Sequence, residues 1–399
     1  MPLTAARLTD VAATLPPPLQ FLIAAACPAE PVEMTRSNWD ELPAAALRHG
    51  LGGCLQTAIT HSNAPAAVRE EAALAARQSA IEGLKGIAEV MEISRVLRDA
   101  GVASVCLKGP TLSQWLYGTP AFRRFSDLDI MVASRDLTAV YEALAPHGYR
   151  LPDGMTLKTA RAIYQGLGAW PLNCAGRYPL DVHFRLCHVS FGSPLKTDDI
   201  IAESRELDGV AGVRIPSATH AALMLLVHAS KHLWCTLEML LTIARVMQRS
   251  DVDWVHVHAL ARRAGTWNGC ITGLELASAL FRVNLPEHIS EHEHLRAPDD
   301  LVHAACAALL KPVGVFADRW EERRSHRAAL DGWSDRVRYD VYRLASPTPV
   351  ERAWCELPDS LAFLYAPVRL MRLTLSGARA ARHRALSRDS SDYRDRAPA

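Results

Sequence analysis

The stretch from Leu107 to Val132 constrains this chain more than any other. It opens with Leu107-Lys108-Gly109-Pro110 and closes with Arg123-Arg124-Phe125-Ser126-Asp127-Leu128-Asp129-Ile130-Met131-Val132. Leu128, Ile130 and Val132 alternate with Asp127, Asp129 and Met131, so a strand here sends both carboxylates to one side. Two such groups repel unless a cation joins them. A hard divalent ion such as magnesium or manganese prefers oxygen donors and keeps waters that a phosphate can replace. Asp-x-Asp alone is a weak sign, because solvated strand ends often carry two acids; the flanking sequence gives it weight.

Upstream, residues 102–107 form a short apolar run rich in β-branched side chains, and Gly101 is placed to end the preceding helix. The pattern predicts a strand, a Lys108-Gly109 turn, and a helix from near Thr111. Gly109 lets the backbone approach a ligand closely, and the helix start offers amides and a positive dipole end to phosphate oxygens. Lys108 and Arg123 add cationic contacts; the plainer alternative for both is pairing with a local carboxylate that serves folding. Downstream, Leu180, Val182, Phe184 and Leu186 alternate with Asp181, His183 and Arg185. If this strand lies beside the first, three acids meet at one point, the usual requirement for ions that bind a nucleoside triphosphate and activate an attacking hydroxyl. His183 reads as an orienting neighbour or a contact to departing pyrophosphate, since magnesium prefers oxygen. Its plainer alternative is a hydrogen-bonded histidine with no chemical role.

Taken together, Leu107-Lys108-Gly109, Leu116-Tyr117-Gly118, Arg123 before Ser126-Asp127-Leu128-Asp129, and Leu180-Asp181-Val182-His183 resemble the uncharacterised nucleotidyltransferase family of the DNA polymerase beta-like superfamily. The pattern extends from about Asn38 through Leu280, and its specific motifs occupy only residues 107–132 and 178–186. The resemblance implies an α+β fold: a polymerase beta-like nucleotidyltransferase core, with a small mixed sheet flanked by helices, between N-terminal and C-terminal helical regions. It implies Asp127 and Asp129 as metal ligands and Asp181 as third ligand or base. It also implies a nucleoside triphosphate substrate, with Lys108, Gly109, Arg123, Ser126, His183, Arg185, His228 and His232 around it, and transfer of a nucleotidyl group to a hydroxyl acceptor with release of pyrophosphate. Two departures stand out. Relatives commonly follow the motif glycine with Ser or Gly, whereas Pro110 offers neither an amide hydrogen nor a hydroxyl. Where relatives tend to carry an Asp in a later helix, this chain reads Leu240-Leu241-Thr242-Ile243-Ala244.

Along the chain, residues 1–100 read as a helical region ending in a long segment from Ala66 to Ala100, whose Leu74, Ile81, Leu84, Ile87, Val90, Met91 and Val96 recur at helical spacing. Residues 101–215 form the nucleotidyltransferase core, in which Ser134 is placed to cap a helix from Arg135 to Leu144. Residues 216–345 form a C-terminal helical domain that Ser217 begins by capping a helix carrying Ala221, Leu225, His228 and His232. Helices from Trp254 to Ala264 and from Asn268 to Leu280 follow. Residues 346–399 read as a basic, partly disordered tail containing Arg369, Arg372, Arg379, Arg382, Arg384 and Arg388. A membrane-surface or nucleic-acid contact is the second reading of that tail.

With 399 residues, 49% of them hydrophobic, and a formal net charge of +1, the chain can bury a large core and advertises no polyanionic partner. Nucleic acid is therefore not the expected acceptor; a small molecule or a peptide or protein side chain is. Nine cysteines, among them Cys27, Cys54, Cys106 and Cys355, include no Cys-x-x-Cys pair and read as reduced, mostly buried thiols of a cytoplasmic protein. The start of the chain lacks the basic end and apolar core of a signal peptide, and the apolar stretch at residues 221–227 stops at His228 and Lys231, too short to span a bilayer.

His228 and His232 sit four apart on a helix, where zinc chelation is conceivable, but the intervening residues lack the Glu of a zinc protease motif; a polar stripe lining the cleft is the preferred reading. His288, His292 and His294, interspersed with Glu287, Glu291 and Glu293, read as a solvated linker. Trp115, Trp170 and Trp234 read as core residues. Two other functions fit the same residues: transfer of another phosphate-linked group, such as a sugar from a nucleotide sugar, and a nucleotide- or partner-binding protein without catalysis, which Pro110 and Thr242 favour.

Overall fold

The computed structural model describes residues 15–26, 34–60, 62–192, 195–291, 296–311 and 319–376. Helices α1 (Pro17–Ala26), α2 (Arg36–Arg48) and α3 (Leu55–Ile59) lead to a 34-residue helix α4 (Ala66–Asp99). Gly101, at φ +74°, ends it and turns the chain into strand β1 (Ser104–Cys106). Helix α5 (Gly109–Tyr117), strand β2 (Leu128–Val132), helices α6 (Leu137–Leu144) and α7 (Leu157–Tyr164), and strands β3 (Ala169–Leu172) and β4 (Leu180–His183) complete a mixed α+β unit. The four strands lie in the order β1-β2-β4-β3, with β2 and β4 parallel and both outer pairs antiparallel. Helix α8 (Thr197–Ala202) and a separate hairpin, β5 (Arg205–Leu207) and β6 (Val210–Ile215), follow.

The period-2 pattern of the strands sorts their side chains between two cores. Cys106, Leu128, Ile130, Val132, Leu180 and Val182 face α4, α6 and α7, where they join Val90, Ile93, Leu97, Val140, Leu144, Ile163, Trp170 and Leu172. Val105, Leu107 and Met131 face the other way, into a larger core built by α1–α3 and by the later helices. These later helices are α9 (Ala218–Lys231), α10 (Leu237–Met247), α11 (Trp254–Ala264), α12 (Trp267–Phe281), α13 (Glu287–Ser290), α14 (Asp299–Leu310), α15 (Arg319–Ala328), α16 (Trp333–Ala345) and α17 (Pro349–Trp354). The N-terminal helices thus share one core with the C-terminal helices, and α4 closes the opposite face of the sheet. Truncating a fully buried member such as Leu97 or Leu128 to Ala would cost about 2–5 kcal/mol.

The expected elements differ in detail. Helix α5 starts at Gly109 rather than near Thr111: Gly109 takes φ +65° and Pro110 occupies the first turn, where its missing N–H would have no helical partner anyway. Ser217 caps α9 by accepting from the His220 amide, as its position suggested. Ser134 caps nothing; Ser134–Asp136 make a short 3-10 turn and α6 begins at Leu137. At Gly83 and Gly86 of α4 the loop after α5 comes so close that a Cβ would stand 2.5 Å from the Pro120 carbonyl and 2.5 Å from the Phe125 ring. Bare helix backbone is what lets the Arg123–Asp127 segment lie flat on α4.

The tail begins as folded chain: residues 359–376 are helical, and Arg369 and Arg372 both pair with the fully buried Glu351 of α17. Arg379, Arg382, Arg384 and Arg388 lie outside the described residues, as do Cys27, His292 and His294. His288 is folded too, its Nε2 standing 3.2 Å from His258 Nδ1. Trp170 and Trp234 are core residues, while Trp115 is half-buried beneath the guanidinium of Arg249, 4.9 Å from the ring. The eight described cysteines are free thiols: Cys106, Cys187 and Cys270 are buried, four are intermediate and Cys355 is exposed. No described helix is long and apolar enough to cross a membrane.

Candidate active site

The parallel pairing of β2 with β4 places Leu128 beside Leu180, Asp129 beside Asp181 and Met131 beside His183. Side chains in register on neighbouring strands share a face, so Asp129, Asp181 and His183 emerge together toward the helical core. One ligand atom from each lies within 4.8 Å of the others, and among the described residues this is the one such group of acids, cysteines or histidines. Asp127 stands one position before β2, accepts from Ser126 Oγ at 3.3 Å, and falls outside that tight group. The carboxylate trio expected around one point is therefore two carboxylates and a histidine, with the third acid at the edge.

Asp129 is buried, and one of its oxygens carries the site. Lys108 Nζ donates to Oδ1 at 3.0 Å and His183 Nε2 donates to the same atom at 2.8 Å. Burial opposes its ionisation, but the two donors outweigh burial and hold its pKa far below the ordinary carboxylate range. Asp127 and Asp181 make no ion pair among the described residues, although Lys108 and His183 pull the pKa of each downward. Desolvation raises the pKa of Asp127, and the neighbouring Asp129 adds to the rise. Asp181 is raised as well, by desolvation first and by Asp129 and Asp127 after it, against the opposing pull of His183.

The last turn of α9 faces this cluster. His228 is pushed well below its usual pKa by desolvation and by Lys108, and His232 is pushed down to about 4 by desolvation and Lys231. Both are therefore neutral near pH 7, with ring centroids 4.6 Å apart. Neither joins the metal-ligand group, in keeping with a polar stripe rather than a chelate. Lys231, between them, is the residue that sequence reasoning missed. Its ammonium feels Asp129 and Asp181, makes no ion pair among the described residues, and has its pKa lowered by desolvation and by Lys108. The signal was present in His228-Ala229-Ser230-Lys231-His232, but a lysine on an apolar helix reads first as an interruption.

Arg123 pairs with a carboxylate of a later helix. It is almost buried and pairs through two nitrogens with Glu238 of α10, Nη2 standing 3.1 Å from Oε2. Glu238 Oε1 also accepts from Thr242 Oγ1 at 2.6 Å, and Thr242 stands 3.5 Å from the Tyr117 hydroxyl. A carboxylate is thus present beside Thr242 after all, supplied one helical turn earlier. Arg123 thus pairs with a carboxylate of α10, and Lys108 with a carboxylate of the acidic cluster itself. Arg185 continues the Asp181-His183 face, its Nε buried without a partner. Gly109 presents the backbone at the start of α5, and the Pro110 ring packs toward α4 instead of toward a ligand.

Residues 35–282 match the family described as uncharacterised nucleotidyltransferase. The chain belongs to that family. The match spans the sheet, the acidic cluster and helices α9 to α12, so it covers every residue of the site just described. None of the curated proteins compared with this chain matches it.

Proposed function

We propose that this chain is a metal-dependent nucleotidyltransferase with a polymerase beta-like core at about residues 101–215, moving a nucleoside monophosphate from a triphosphate to a hydroxyl acceptor. The observation that supports this most is the pairing of Asp129 with Asp181 in register on adjacent strands, with Asp181 desolvated and in no ion pair among the described residues. Such a pair costs stability, and folding alone supplies no reason to keep it. The donor set fits a hard divalent ion: the second oxygen of Asp129 has no hydrogen-bond partner among the described residues, and Asp127 and Asp181 are desolvated beside it, with Lys108 and His183 only partly offsetting the rise in their pKa values. Asp127, Asp129 and Asp181 would hold magnesium or manganese, which when bound would offset phosphate charge and acidify the attacking hydroxyl.

The chain's own groups divide the remaining work. Lys108 and Lys231 supply positive charge for the triphosphate, and the amides at the start of α5 beside Gly109 add hydrogen bonds to its oxygens. His183 fixes the orientation of Asp129 through their hydrogen bond. Asp181, in register beside Asp129, accepts the proton of the acceptor hydroxyl. The hydroxyl oxygen bonds to the α-phosphorus as the bridge to the β-phosphate breaks, and pyrophosphate leaves with that electron pair. The helical region beside α9 covers the reacting groups from water. The acceptor we favour is a small molecule or a peptide or protein hydroxyl, and the setting we favour is the cytoplasm, consistent with eight unpaired thiols.

The test is to incubate the purified chain with each α-labelled triphosphate, magnesium and a cell extract. Label on an acceptor, with stoichiometric pyrophosphate and loss of both in Asp181→Asn, is the expected result. A labelled sugar rather than a nucleotide on the acceptor would move the assignment to the nucleotide-sugar reaction. Triphosphate binding by calorimetry without pyrophosphate release from any acceptor would make this a binding protein and end the proposal.

A further inference from the structure

Helix α4 has two apolar faces, and the fold uses one. Val68, Ala72, Gly83, Gly86, Val90, Ile93 and Leu97 are buried against the molecule. The opposite face carries Leu74, Ile81, Leu84 and Met91, which are 67%, 41%, 65% and 40% exposed. With Ala88 these residues fall at 74, 81 and 88 and at 84 and 91, the seven-residue repeat of a coiled-coil seam. The seam runs about 26 Å at 1.5 Å per residue. A solvent-facing helix side has no physical reason to keep that repeat.

We propose that the occupant of this face is a second copy of the chain, its α4 antiparallel to the first about a two-fold axis between Glu82 and Gly83. The seam is complementary to itself in that register. Leu74 of one copy stands opposite Met91 of the other, and Ile81 opposite Leu84, each pair occurring twice by symmetry. Arg77, which breaks the apolar run, meets Ala88, whose small side chain leaves room for the guanidinium to reach solvent. At both ends Glu70 meets Arg95, opposite charges that close the seam and fix its direction. The reversed, parallel register sets Glu70 against Glu70 and Arg95 against Arg95, and loses this complementarity.

Isolated helices with so short a seam associate poorly because they must first become helical. Here α4 is already held by its buried face, so that cost falls on folding and not on association. The inference is independent of the reaction catalysed.

The test uses the full chain in sedimentation velocity from about 1 to about 100 µM, the range that separates weak from tight association. A concentration-dependent dimer is expected. Leu84→Glu, which brings two carboxylates together near the axis, should weaken it at least tenfold. Arg95→Glu should weaken it about two- to fivefold, the scale of an exposed ion pair, and Glu70→Arg in the same chain should restore it. Circular dichroism of each variant should match the parent, because every altered side chain is exposed in a single copy. A monomer at every concentration, or a dimer indifferent to Leu84→Glu and to the charge exchange, would overturn the proposal.

Discussion

Two clusters of buried charge lie on either side of the loop after α5, and they treat charge in opposite ways. Around Arg123 the two charges meet: the guanidinium contacts the Glu238 carboxylate through two nitrogens, and Thr242 donates to Oε1, the oxygen that already accepts from Arg123 Nε. Around Asp129 the sum does not close: Asp127 and Asp181 stand desolvated beside a third carboxylate, while Lys231 stands desolvated near them and makes no ion pair among the described residues. The comparison separates architecture from chemistry. A compensated pair cancels its charge in the folded chain and fixes the loop after α5 to α10, although Arg123 Nη1 is buried without a hydrogen-bond partner. An uncompensated cluster stores both signs of charge close together, poised for a ligand that carries both, as a triphosphate with its cation does.

The sharpest attack on this contrast is Asp181→Asn or Asp129→Asn. Each should lower nucleotidyl transfer by about a thousandfold or more, the scale of losing a group that acts on developing charge, with thermal melting unchanged in Asp181→Asn and lowered in Asp129→Asn, which leaves Lys108 without its carboxylate. Retained pyrophosphate release in either variant would erase the distinction. Glu238→Gln should do the reverse: a urea-melt loss of about 3–5 kcal/mol from an uncompensated buried Arg123, with Arg123→Met in the same chain recovering most of it. Should Glu238→Gln leave stability alone and impair triphosphate binding instead, Arg123 belongs to the site.

Lys231→Met is the next test in size. The apparent KM for the triphosphate should rise about tenfold, the equivalent of one lost charged contact, and melting should be unchanged or slightly improved because a desolvated ammonium has gone. Unchanged KM with impaired folding would place Lys231 in the architecture.

A further effect is graded by pH. His49, His188, His232 and His326 are each lowered from 6.5 to about 4, every one chiefly by desolvation. The folded form therefore binds these protons less well than the unfolded chain does. Their contribution to stability is complete above pH 6.5 and is lost as the pH falls from 6.5 toward 4. For the fully buried His49 and His326 the slope is on the order of 1 kcal/mol per pH unit each. A melting temperature that stays level between pH 7 and pH 4.5 would show that these imidazoles titrate freely.

Much of the site was legible because β-strands are periodic by two. The alternation around Asp127, Asp129, Asp181 and His183 announced two strands and the side on which their acids stand. The same logic could not name the partner of Arg123, since a basic residue just before an acidic motif reads as a phosphate contact while the carboxylate that pairs with it is still unknown. Glu238 lies 115 positions away and belongs to another helix. The long helix was equally readable as α4, yet its apolar residues gave no hint that half of them, Leu74, Ile81, Leu84 and Met91, would remain outside.

Local order, then, was written in the chain: where strands and helices run, which glycines turn them, and which side of a strand bears acid. Pairing was not. That Asp129 lies beside Asp181 and not Asp127, that Lys231 faces both, and that Arg123 is claimed by Glu238 all depend on how β2 and β4 align and how α9 and α10 pack over them. Electrostatic energy varies with distance in space and with burial, and a sequence specifies neither until its hydrophobic faces have met.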